Sequence, residues 1–154
     1  MEAFIGLAVA LFVGCLIGTE RGWKQRELSE QSRSLGLRTF VLIALAGGMG
    51  GLLVQQGWQL LVAAAALGLT ALLALTYRYK AGEMADAGAT TQLAAFVTFL
   101  LGVAATGGFQ AQAAAVAVVV ALLLKMKSGL HRLLHRLSEQ ELQSSLILLL
   151  MAMA

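Results

Sequence analysis

The sequence contains no proline and a single cysteine, Cys15. One thiol excludes an intrachain disulfide and a cysteine metal site. Without proline, no helix loses a backbone donor or kinks at a pyrrolidine ring. Charge is scarce as well. Asp, Glu, Lys and Arg make up 12% of the 154 residues, where a soluble domain carries roughly a quarter. That shortage argues against a soluble enzyme, a nucleic-acid binder and a disordered tail. What fills the chain instead is apolar: 59% hydrophobic residues, seventeen glycines, long alanine runs and a mean hydropathy of +0.82. Small residues let helix backbones approach closely in lipid. The net charge of +3 fits the record that topology leaves in a membrane protein better than it fits an acidic partner. The expected fold class is all-α, a polytopic transmembrane helix bundle.

A helix crosses a bilayer with about 20 mostly apolar residues, in a range of roughly 17–25. Five segments approach this: Ala3–Thr19, Thr39–Gln55, Trp58–Tyr77, Thr91–Ala105 (or from near Ala87) and Phe109–Leu124. A sixth apolar run, Leu142–Ala154, stops after 13 residues, and Ser138 with Glu141 forms a capping-box pair ahead of it. We therefore expect a sixth span to start here and the natural protein to continue past Ala154. The expected division is a transmembrane domain over 1–127 and a second part over 128–154, an amphipathic interfacial helix followed by the start of that span.

All eleven basic residues fall on alternate connections. Arg21, Lys24, Arg26, Arg33 and Arg38 lie between spans one and two, Arg78 and Lys80 follow span three, and Lys125, Lys127, Arg132 and Arg136 follow span five. The turns at Gln55–Gln59 and Thr106–Gln112 hold none. Basic loops stay cytoplasmic, so the N-terminus is expected outside. Met1-Glu2 lacks a basic n-region, which argues against a cleaved signal peptide. With five spans per unit, a second unit would insert with inverted topology, an arrangement found in secondary transporters.

Span one carries Gly6, Ala10, Gly14 and Gly18 at four-residue spacing, a stripe suited to a packing seam within the bundle or to a dimer interface. The segment Gly14-Cys15-Leu16-Ile17-Gly18-Thr19-Glu20-Arg21, followed by Leu35-Gly36-Leu37-Arg38-Thr39, resembles the signature of the MgtC/SapB family of bacterial inner-membrane proteins. Ala87-Gly88-Ala89-Thr90-Thr91 resembles that family's opening of a later helix. The likeness covers roughly residues 1–125, and the apolar run after it resembles the branch fused to a further hydrophobic region. The resemblance implies a bacterial inner-membrane protein of Mg2+ transport or homeostasis. The alternative it implies is a non-transporting regulatory module docking onto another membrane complex such as the ATP synthase, since some members are regarded as its modulators.

Glu20, Arg21 and Arg38 sit at the basic ends of two spans expected to be neighbours. A Glu20–Arg38 ion pair is the structural expectation for a carboxylate at a membrane boundary. The functional alternative makes Glu20, with Asp86 or Glu83, an oxygen-rich entrance or metal site for a hard cation such as Mg2+. Asp86 reads equally as a loop or capping residue. Gly47, Gly48, Gly50 and Gly51 in span two point either to close approach by a neighbour or to a broken helix whose free carbonyls line a path. Thr39 closes the second motif. Thr90, Thr91 and Gln92 open span four, where Thr90 is expected as the helix N-cap and all three as oxygen donors. Thr70 and Thr98 lie inside spans, where hydroxyls bond back to their own helix.

His131 and His135 stand four apart, but Leu130, Leu133, Leu134 and Leu137 oppose them and Arg132 and Arg136 flank them. This is the pattern of a basic helix on an anionic lipid surface. No phosphate loop, dinucleotide fingerprint, HExxH or nucleophile–base pair is present, so no enzyme and no cofactor is expected beyond Mg2+ as a transported or sensed ion. The expected partners are the lipid bilayer and either a second copy or another membrane protein.

Overall fold

The computed structural model describes residues 1–24, 35–80 and 89–134, together with Ile147, Leu148 and Met151. Five helices follow in order: α1 Glu2–Lys24, α2 Leu37–Gln55, α3 Gln59–Lys80, α4 Ala89–Thr106 and α5 Gln110–Leu134. No strand occurs among the described residues. Each apolar segment is one helix, because in these runs every backbone donor can be satisfied only within its own segment. Three of them, over Glu2–Trp23, Leu37–Gln55 and Gln59–Arg78, are long and apolar enough to cross a membrane, and Thr90–Thr106 and Gln110–Met126 are shorter apolar helices.

The chain divides into two compact units, Met1–Leu122 and Leu123–Ala154. The first is built around α1, α2 and α4, which pack on one another, with α3 against α2 and α4. Small residues make this possible. A Cβ on Gly14 would stand 2.7 Å from the Cα of Val41, and one on Gly6 2.8 Å from the carbonyl oxygen of Ala105. Ala10, between them on the same stripe, is fully buried. The stripe of α1 thus faces α2 and α4 of its own chain. α2 is continuous through Gly47, Gly48, Gly50 and Gly51, all buried, so its backbone carbonyls stay in the helix and it is not a broken helix. Gly47 meets the backbone of Phe99, Gly51 meets Thr106 and Val103, and Gly102 of α4 meets the backbone of Ala44. Phe40, Ile17, Val13 and Thr98 are the largest fully buried side chains.

The α2–α3 and α4–α5 turns share one solution. Gly57 at φ 89° and Gly108 at φ 95° are the chain's positive-φ residues among those described. Each ends a helix in a Schellman arrangement, with Trp58 N–H donating to the Leu53 carbonyl at 3.0 Å and Phe109 N–H to that of Ala104 at 3.0 Å. The second unit holds the remainder of α5 and the helical residues Ile147, Leu148 and Met151. The backbone stays helical to Leu134. His135, Arg136, Leu137, Ser138 and Glu141 lie outside the described residues, as does most of the expected sixth span.

Candidate functional site: a buried ionic cluster at the basic end of the bundle

Arg21 sits in the last turn of α1, where an apolar span runs into charge, and the fold buries it to 5% exposure. Two contacts hold it. Its Nε lies 3.3 Å from Oε2 of Glu20, with 7% of the arginine side chain and 13% of the glutamate side chain exposed. Its Nη1 donates to Oγ1 of Thr91 at 3.4 Å, across to the first turn of α4. The Glu20 contact is ionic without hydrogen-bond alignment, and Glu20 Oε2, Arg21 Nε, Arg21 Nη2 and Gln92 Oε1 are buried without a hydrogen-bond partner. Buried polar groups left this way are costly. Their gathering at one end of an apolar bundle sets this place apart from the rest of the described structure.

Sequence expectation and geometry differ in several places. Glu20 pairs with Arg21, its chain neighbour, and not with Arg38, which is exposed at the start of α2. Thr39 is half-buried one residue further on. Thr91 is buried in the cluster. Thr90 lies inside the first turn of α4, which begins at Ala89, so it is not the capping residue. Asp86 and Glu83 lie outside the described residues. No group of three or more His, Cys, Asp and Glu side chains comes together among the described residues. Thr70 and Thr98 bond back to the carbonyls of Ala66 and Ala94, at 2.8 and 2.7 Å.

At the opposite end lies a polar lock that sequence reading passed over. Thr106 is buried, and its Oγ1 donates to the carbonyl of Gly48 at 2.7 Å, while Gln55 Nε2 donates to the Thr106 carbonyl at 2.6 Å. The available signal was a threonine directly ahead of Gly107-Gly108, which reads as turn material. The close approach shows at Gly51, where a Cβ would run into Thr106 Oγ1 and the Val103 carbonyl.

The family model of the MgtC family matches residues 7–133. The chain belongs to the MgtC family. The matched stretch contains the whole ionic cluster and, but for Gly6, every glycine of the seam. Comparisons with curated proteins and with solved structures give no match. MgtC membership, with helices long and apolar enough to span, makes this a membrane protein of a family tied to Mg2+ homeostasis.

In this MgtC-family chain the cluster bears directly on cation chemistry. A guanidinium within about 4 Å repels a unit positive charge by roughly 4 kcal/mol at an effective dielectric constant near 20, and a divalent ion by about twice that. Mg2+ also prefers carboxylate oxygens that are not already neutralised. As arranged, Glu20 is a partner for Arg21 before it is a partner for a metal ion.

Proposed function

We propose that this MgtC-family protein serves Mg2+ homeostasis in the bacterial inner membrane without itself conducting the ion, acting as a regulatory module on another membrane complex. The observation that carries this reading is the Glu20–Arg21 pair, which places a positive charge at the one carboxylate within the described bundle core. The stripe Gly6–Gly14–Gly18 is taken up inside the chain, which leaves the outer, leucine-rich side of α3, with Leu60, Leu67 and Leu75 exposed, to meet lipid or a partner. The chain carries no enzyme activity in this reading. Its basic connections face the cytoplasm and its N-terminus lies outside.

A second reading, Mg2+ transport, draws on the unpartnered buried atoms of Glu20, Arg21 and Gln92, which would form the cytoplasmic mouth of a polar path. The two separate in one experiment. Mg2+ entry into proteoliposomes is measured for wild type and Glu20→Gln against protein-free vesicles. The expected result is no flux above background from either protein when both are folded and inserted. Flux that Glu20→Gln abolishes would overturn the regulatory reading in favour of transport.

A further inference from the structure

A groove of about 340 Å³ runs between α3 and α4. Its walls are Thr70, Leu73, Ala74 and Tyr77 of α3 with Leu93 and Phe96 of α4. The α3 residues recur at three- and four-residue steps, so they form one face of that helix. Tyr77 and Leu93 are exposed, so the groove opens on the outside of the bundle. From Thr70 to Tyr77 it extends along about 10 Å of helix, at about 1.5 Å per residue. One leaflet contributes about half of a hydrocarbon core roughly 30 Å thick, so a groove of this length lies within a single leaflet.

Its two ends differ chemically. The Tyr77 end lies at the basic end of the bundle, where Gln92 of the same groove adjoins Thr91, the partner of Arg21. Tyrosine at such a height is the side chain that membrane interfaces favour. Arg78 follows at once, exposed and without an ion pair among the described residues. The other end runs apolar toward the middle of the span. An apolar slot, topped by tyrosine and then by an exposed arginine without an ion pair among the described residues, is complementary to a single molecule carrying a hydrocarbon tail below an anionic head.

We infer that the α3–α4 groove holds one acyl chain of an anionic phospholipid from the leaflet at the basic end, with the lipid phosphate at Arg78. The volume suits one chain, being at the low end of the roughly 300–1,000 Å³ of ligand pockets, and Arg78 supplies the charge selection. This rests on the membrane placement of α3 and α4 and is independent of whether the protein conducts Mg2+. Lipid retention and ion flux are separate measurements, so either can fail alone.

The chain is reconstituted in vesicles of equimolar phosphatidylcholine and phosphatidylglycerol, extracted in mild detergent and examined by native mass spectrometry. We expect one retained lipid per chain, with phosphatidylglycerol preferred about five-fold, the size expected of one basic residue near an anionic headgroup. Arg78→Gln should bring the ratio close to one, and Ala74→Phe, which fills the slot, should abolish retention of both lipids. Equal retention of the two lipids by wild type, or an unchanged preference in Arg78→Gln, overturns the proposal. So does a lipid-free dimer that Ala74→Phe dissociates, because a second copy would then fill the groove. Should Ala74→Phe fail to fold, Phe96→Trp reads the same place. Its added fluorescence, over that of Trp23 and Trp58, should be quenched more strongly by phosphatidylglycerol brominated on its acyl chain than by brominated phosphatidylcholine, and equal quenching also overturns the proposal.

Discussion

Arg21 is the residue whose placement is hardest to account for by apolar packing alone. Its guanidinium is stabilised by the Glu20 carboxylate at 3.3 Å, and the long bond of 3.4 Å to Thr91 adds little at that distance. Removing one member of a buried pair leaves the other as an uncompensated charge, at a cost of roughly 3–5 kcal/mol in full burial. Here the side chains keep 7% and 13% exposure, so Arg21→Met should cost about 2 kcal/mol, below that fully buried range. The double variant Glu20→Gln/Arg21→Met should recover most of the loss, because no charge is then stranded. Thr91→Val should cost far less, near the ~0.6 kcal/mol average for side-chain hydrogen bonds in membrane helices. Unfolding of the three variants in micelles measures all of this, and equal losses in Arg21→Met and the double variant would show that removing Arg21 strands no charge on Glu20.

Among the elements, α2 and α4 show how glycine acts by position rather than by type. Gly47, Gly51 and Gly102 each stand where a Cβ would run into backbone of the facing helix, whereas a Cβ on Gly68 of α3 meets nothing within 4 Å. Helix propensity favours alanine over glycine by about 0.8–1.0 kcal/mol. Gly68→Ala is therefore expected to be neutral or stabilising by up to about 1 kcal/mol, while Gly47→Ala should destabilise by about 2 kcal/mol or more, as overpacking does. Opposite shifts in thermal midpoint would establish the seam, and equal shifts would refute it. The contrast also marks what the sequence could convey. Hydropathy located the five helices, since the requirement for about 20 apolar residues acts within each segment separately. Which helix each glycine faces depends on pairings remote in the chain, and so does the contact of Arg21 with Thr91 of α4, whereas Glu20 pairs with Arg21 beside it and not with Arg38 on the next span. Thr106 went unread for the same reason, since its acceptor is Gly48, 58 residues away.

For the molecule as a membrane protein, the decisive feature is the side on which each connection lies. Several contacts already tie the ends of the helices together. Arg21 meets Thr91, and Gly18 meets Leu37, which brings the end of α1 and the starts of α2 and α4 to one side. Gly6 meets Thr106, and Gly50 meets Val62, which collects the glycine turns on the other. These contacts align with the alternation of basic residues, an arrangement that the chain's charge pattern conveys because retention of Lys and Arg acts on each loop as it inserts. The spans of α4 and α5 are the ones that length leaves open, since Thr90–Thr106 and Gln110–Met126 are shorter apolar helices, about 25 Å each at 1.5 Å per residue. A shorter helix can still cross by local thinning of the bilayer, at modest cost. Single cysteines placed in a Cys15→Ala background decide the matter. At Gln56 and Gln112, both exposed, we expect labelling by a membrane-impermeant maleimide applied to intact cells from outside. At Gly36, where a side chain meets nothing within 4 Å, and at Lys125, labelling should require permeabilised cells. Labelling of both Gln112→Cys and Lys125→Cys from outside would mean that α5 does not cross, because the two ends of a spanning helix cannot be reached from one side of a sealed bilayer.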